Sequence, residues 1–195
     1  MGEVVEKGEA ESTPSVVKLI LNSQMLEDMN IGVRYWDSSL KDLNESLQEK
    51  LKRYVEAVDK QADDGIGLLF SGGFELGMKA ASALLKALRR RYHSVYCVNI
   101  NELKDWVWER RQTDDGNGFV EFCIEKDFLC IWGLGDEWKN DKQYIDSMLA
   151  RIVQTRHMNL RPTIFVTSLS AEEFQARYPD HVAKLIATNT KLIEV

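Results

Sequence analysis

Gly72 and Gly77 follow the apolar run Gly67 to Ser71 and open an amphipathic stretch that continues to Arg91. Strand, glycine turn and helix, with the spacing Gly-x4-Gly, is the layout of a phosphate-binding loop, in which backbone N–H groups and a helix N-terminus cradle an anion. The chemistry of that loop needs two further side chains directly after the second glycine. One is a lysine that neutralises phosphate, the other a hydroxyl that holds Mg²⁺. Met78 and Lys79 stand in those places. The frame of an anion site is present, and the groups that would charge it are changed.

The elements that must position this turn follow from periodicity. Residues 1–15 are rich in Glu, Gly and Ser and are expected to form a flexible tail. Residues 16–64 form a helical lead-in. Val16 to Met29 suits a short helix, Ile31 to Leu43 reads as irregular chain, and Ser46 with Glu49 has capping-box spacing for a helix ending near Ala62. Residues 65–195 then alternate strand and helix, the pattern of a layered α/β domain with a mostly parallel sheet. Strands are expected at Gly67 to Ser71, Ser94 to Ile100, Asp127 to Gly133, Thr163 to Thr167 and Lys191 to Glu194. Helices are expected from Phe74 to Arg91, after Asn101 as cap, from Asp141 to His157, after Ser170 as cap, and from Asp180 to about Ala187. Thr113 to Gly118 reads as an exposed loop, and Phe119 to Ile124 is ambiguous between strand and helix.

With 195 residues, 44% apolar and 29% charged, the chain can bury one sizeable core. A net charge of −6 argues against a surface built wholly for nucleic acid or anionic membrane. The three cysteines, Cys97, Cys123 and Cys130, lie in apolar runs without CxxC spacing, which suits buried thiols in a reduced, cytoplasmic setting. No apolar run approaches the roughly 18 residues of a membrane helix, and the acidic start lacks a signal-peptide core. No metal is expected, because His93, His157 and His181 are dispersed without ligand spacing.

Four segments together resemble the helicase-loader and transposition-helper ATPases of the DnaC/DnaI/IstB type, a branch of the AAA+ proteins. They are NIGVRYWDSSLKDL, GLLFSGGFELGMKAASALLKAL, DFLCIWGLGDEW and RPTIFVTSLSAEEF, and the resemblance runs over about residues 25–195. It implies a three-layer α/β/α core with a five-stranded, mostly parallel sheet of the AAA+/RecA-like P-loop type and a ligand site at the C-terminal strand ends. The family's helical lid is expected to be missing or truncated. By the same resemblance Gly72, Gly73, Glu75, Gly77, Met78 and Lys79 are the remnant of Walker A, Trp132 and Gly133 replace the Walker B acids, and Ser168 replaces the sensor 1 asparagine. Glu75 takes the place of a central glycine. A carboxylate ~4 Å from a phosphate costs roughly 4 kcal/mol at an effective dielectric near 20, about a thousandfold in affinity. Without Walker B carboxylates nothing holds Mg²⁺ or orients water. The resemblance therefore implies a pseudo-ATPase without catalytic residues or cofactor, whose partner is a replicative helicase, a loader or an active paralogue.

Lys79 could serve through a one-residue shift, or belong to a solvated polar stripe with Ser82, Lys86 and Arg90. Asp136 and Glu137 could be displaced acids or loop caps, and Lys184 is the one basic residue near the expected arginine-finger region. Lys86, Arg89, Arg90, Arg91, Arg110 and Arg111 are candidate nucleic-acid contacts beside Trp106 and Trp108, or cations compensating a helix terminus. Trp132 is expected to fill the vacated metal position and leave a dry, collapsed site. Two other functions stay open: an ATPase or nucleotide switch with altered chemistry, and a single-stranded nucleic-acid binding module.

Overall fold

Five short strands with continuous apolar runs can satisfy their backbones only as a sheet covered on both faces, and that is what the computed structural model contains. It describes residues 19–109, 115–137 and 142–195. The strands are β1 (Gly67–Ser71), β2 (Val95–Asn99), β3 (Phe128–Leu134), β4 (Thr163–Thr167) and β5 (Thr190–Glu194). They lie in the order β2-β3-β4-β1-β5, and every pairing is parallel. Leu68 pairs with Ile164 on one side and with Lys191 on the other, so β1 is central. Gly67 permits this register, since a Cβ there would lie 1.8 Å from the Thr163 carbonyl oxygen.

Alternation along β1 sends Leu68 and Phe70 to one face and Leu69 to the other, each into its own apolar core. The first core is covered by α1 (Ser23–Asp28), α2 (Glu45–Glu56), α3 (Val58–Asp63) and α4 (Phe74–Arg89). The second is covered by α5 (Ile100–Glu109), α6 (Asp115–Glu125), α7 (Lys142–Met158), α8 (Ala171–Arg177) and α9 (Asp180–Asn189). This is the expected three-layer α/β/α arrangement with a five-stranded parallel sheet.

Boundaries differ from expectation where caps compete. Asn44, not Ser46, starts α2: its Oδ1 accepts from the Leu47 N–H at 2.9 Å, and the helix breaks at Ala57 before α3. Asn99, not Asn101, caps α5, accepting from the N–H groups of Asn101 at 2.8 Å and Glu102 at 3.3 Å. The helix expected over Val16 to Met29 is reduced to Ser23–Asp28 among the described residues. The loop expected at Thr113 to Gly118 is helical from Asp115, because α6 drives Val120, Cys123 and Ile124 into the second core. The residues of the expected tail, 1–15, and Arg110 and Arg111 lie outside the described residues. Ser170 does form a capping box with Glu173 at the start of α8.

Arg156 of α7 is fully buried. Its guanidinium donates to the carbonyls of Cys123, Ile124, Lys126, Asp127 and Pro162 and to Thr163 Oγ1, joining the end of α6 to the starts of β3 and β4. A fork of N–H donors converging on carbonyls suits arginine alone among the side chains.

Candidate functional site

The turn between β1 and α4 is two residues long. Gly72 has φ +97°, a conformation that favours glycine, and Gly73 is the N-cap of a helix that begins at Phe74. The Gly72 N–H donates to the Leu169 carbonyl at 3.0 Å, and the Gly77 N–H donates to the Gly73 carbonyl at 2.8 Å. The Gly72 amide is therefore bonded within the protein, and the Gly77 amide makes the first-turn helix bond of α4. Gly77 serves packing: a Cβ there would meet Val166 Cγ1 at 2.9 Å and Phe70 Cβ at 3.4 Å. The chain returns over the turn at Val195, whose N–H donates to the Ser71 carbonyl at 2.9 Å. A Cβ on Gly73 would lie 2.9 Å from the Val195 carbonyl oxygen.

Glu75, in the first turn of α4, is held by the lead-in. Its carboxylate accepts from Arg34 Nε at 3.0 Å and from the Tyr35 hydroxyl at 3.1 Å. Partial burial, and then the bond to Glu75, raise the Tyr35 hydroxyl above its ordinary pKa. One helical turn beyond Ser82 and two beyond Met78, the Lys86 ammonium donates to the carbonyls of Tyr35 at 2.9 Å and Trp36 at 2.6 Å. The Trp36 indole donates in turn to the Ile31 carbonyl at 2.7 Å. Of the stripe expected to face solvent, Ser82 and Lys86 are thus buried, Lys86 against the lead-in, while Arg90 stays exposed. Burial lowers the Lys86 pKa to about 8, with Arg90 adding to the effect. Lys79 is half-buried on the same side of α4 and acts on Asp42, whose pKa is held down first by its bonds to Ser39 and then by Lys79 and Lys86.

Between the lead-in and the strand ends lies a recess of about 600 Å³. Ile31, Tyr35 and Trp36 wall it on one side, and Phe74, Met78 and Trp132 on the other. The exposed carboxyl residues Glu27 and Glu102 complete the lining with Asn30, Gly32 and Val33, and among the described residues no lysine, arginine or histidine takes part. Trp132 is half-buried and packs against Phe74, ring centroids 5.7 Å apart at 49°. The expected collapse is therefore corrected: Trp132 forms a wall of the recess and leaves it open. Gly133, next in the chain, sits at φ +78° in a bulge of β3, where a Cβ would lie 2.7 Å from Asn99 Nδ2.

The remaining candidates are dispersed. Ser168 is exposed past β4, while Thr167 is buried and its hydroxyl donates to the Leu134 carbonyl at 2.6 Å. Glu137 is buried, paired with Arg177 at 2.6 Å and bonded to the Tyr178 hydroxyl, which accepts from the Gly135 N–H at 3.0 Å. Of the two roles open to it, loop cap is the one its contacts fit. Burial, and then Glu137, raise the Asp136 pKa. Lys184 is exposed and pairs with Asp180 at 3.7 Å. Of the basic cluster, Lys86 is removed by burial, Arg89 is half-buried, and Arg90 and Arg91 are exposed at the C-terminal end of α4. Trp106 stacks on Phe119 at 4.7 Å and 24°, and His93 meets the edge of Phe128 at 5.2 Å.

Sequence reasoning missed the Arg34–Glu75–Tyr35 clasp, the Lys86 anchor and the Arg156 pin, all contacts between residues distant in the chain. A lysine flanked by Leu84, Leu85 and Leu88 was the one available signal that Lys86 is buried. The cysteines are free and buried, and among the described residues no group of three His, Cys, Asp or Glu side chains could hold a metal. No described helix is long and apolar enough to cross a membrane.

No protein-family model matches the chain, and none of the curated proteins is similar to it. Solved structures are. The DnaC helicase loader superposes with TM-score 0.70 at 21% identity, covering 84% of this chain and 99% of that one. DnaI gives 0.72 at 20% identity, with 85% and 95% covered. AMPPCP-bound DnaA from Aquifex aeolicus gives 0.68 at 13% identity, with 85% of this chain and 51% of DnaA covered. The fold is the one seen in DnaC and DnaI.

Proposed function

We propose that this chain is a catalytically inactive AAA+-like protein that works by protein contact, as an accessory or interaction subunit linked to DNA replication through a helicase or helicase loader. The observation that carries the inactive half is the βα turn itself. Where a phosphate cradle needs a lysine and metal-binding carboxylates, the chain has Met78 after Gly77 and Trp132 with Gly133 near the end of β3, and the Gly72 N–H is bonded to the Leu169 carbonyl. Glu75 adds a negative charge to the first turn of α4, where a phosphate would be received. The replication half is supported by likeness in fold to DnaC and DnaI, and a shared fold is a weaker warrant for function than a shared site.

Both halves are tested by size-exclusion chromatography of the purified chain with its host's replicative helicase, with the host's loader, and with ATP, ADP or neither. The expected result is a complex with one of them whose yield is the same in all three nucleotide conditions, and no phosphate release attributable to this chain. ATP binding or phosphate release by the chain alone contradicts the inactive reading, and no complex with either protein contradicts the replication reading.

A further inference from the structure

We propose that the recess between the lead-in and α4 is a binding site for an organic cation, a substituted ammonium or guanidinium group carrying an apolar body. This goes beyond the function proposed above and rests on the lining alone. The volume, about 600 Å³, falls within the range of roughly 300 to 1,000 Å³ typical of small-molecule sites. Four aromatic side chains reach it: Tyr35, Trp36, Phe74 and Trp132. The faces of such rings carry negative charge density and attract a cation, tryptophan most strongly. Glu27 and Glu102 stand at the same lining, and neither makes an ion pair among the described residues.

No described basic residue balances these two carboxylates within the lining, so an anion entering the recess meets repulsion. Arg34 of the lead-in is bonded to Glu75, and the Lys86 ammonium is held by the Tyr35 and Trp36 carbonyls rather than lining the recess. Aromatic walls with unbalanced carboxylates are complementary to a desolvated cation and to little else. Such a group can come from a free metabolite or from an arginine side chain of a protein, and the chemistry of recognition is the same.

The test follows the indole Nε1–H signals of Trp36 and Trp132 in the ¹⁵N-labelled protein. Choline and agmatine serve as free cations, 3,3-dimethylbutanol as the neutral isostere of choline, and a capped Gly-Arg-Gly peptide as the protein-borne source. Saturable shifts are expected with the cations, with the neutral isostere at least about fivefold weaker. The double variant Glu27→Gln, Glu102→Gln is expected to weaken cation binding about fivefold, and Trp132→Leu about tenfold. The glutamate variants lie on the surface and keep the test valid if Trp132→Leu unfolds. Tighter binding of the peptide than of agmatine assigns the source to a protein side chain; the reverse assigns it to a metabolite. Equal binding of the neutral isostere, or unchanged affinity in the glutamate variants, overturns the proposal. ATP that displaces choline from these signals also overturns it, whereas ATP that binds without displacing choline contradicts only the inactive-ATPase reading.

Discussion

Glu75 and Glu137 lie just beyond the C-terminal ends of β1 and β3, the edge of the sheet where α/β proteins place their ligands, and they have opposite surroundings. The Glu137 side chain is fully buried and its Arg177 partner is 19% exposed, whereas in the Glu75–Arg34 pair the side chains are 59% and 75% exposed. One junction is a buried post that joins the β3 loop to α8. The other is a solvated clasp laid over an open recess. The difference teaches that acidity near a strand end does not identify a catalytic group. Glu137 is fixed by Arg177 and Tyr178 and takes no part in the recess lining, while Glu75 is exposed and held only by Arg34 and Tyr35 of the lead-in.

The largest effect should come from breaking the buried junction. Glu137→Ala removes the acceptor of Tyr178 and leaves Arg177 only Asp146 at 3.6 Å, and is expected to cost about 3 kcal/mol in urea unfolding. A cost below about 1 kcal/mol would make the two junctions alike. Next is the anchor that holds the lead-in above the recess: Lys86→Met frees two carbonyls and is expected to cost about 2 kcal/mol. This anchor also carries a pH signature. Burial lowers the Lys86 pKa from 10.5 to about 8, so between those values the unfolded chain binds more protons than the folded one. Stability contributed by this residue should therefore rise as pH increases from about 8 toward 10.5. The gap between wild type and Lys86→Met should widen over that window, and a constant gap would show that the ammonium is not desolvated.

A smaller effect is expected from the exposed clasp. Glu75→Gln or Arg34→Ala should change stability by less than about 1 kcal/mol, the ordinary worth of a surface ion pair, with half of that effect or more lost in 1 M salt. The smallest response should be in catalysis. Met78→Lys with Lys79→Thr places a lysine and a hydroxyl after Gly77 but no carboxylate at Trp132 or Gly133 of β3, and phosphate release should stay at background. Measurable turnover in that variant would mean that Trp132 and Gly133 are not the limiting loss.

The strand–helix alternation was legible because each element carries its own period, and β1, β4 and the α8 capping box lie where local pattern places them. The strand–turn–helix frame at Gly72 and Gly77 was equally legible, being a matter of residue type at fixed spacing. What the pattern could not show was which side of α4 faces protein. Part of its charged stripe is covered by a lead-in some 50 residues earlier in the chain, and Lys86 bonds to backbone carbonyls that no spacing rule registers. The same limit explains the expected collapse around Trp132. A large side chain in a vacated position fills it only if it points inward, and here its ring stands beside Phe74 as a wall. Caps failed at Ser46 and Asn101 for a simpler reason: an equally good asparagine stood two residues upstream in each case.

Isothermal titration of the purified chain with ATP and ADP, with and without Mg²⁺, measures whether the β1–α4 turn takes up nucleotide. No saturable heat up to about 1 mM nucleotide is expected in any arm, corresponding to binding weaker than about −4 kcal/mol. Micromolar binding that requires Mg²⁺ would contradict the account.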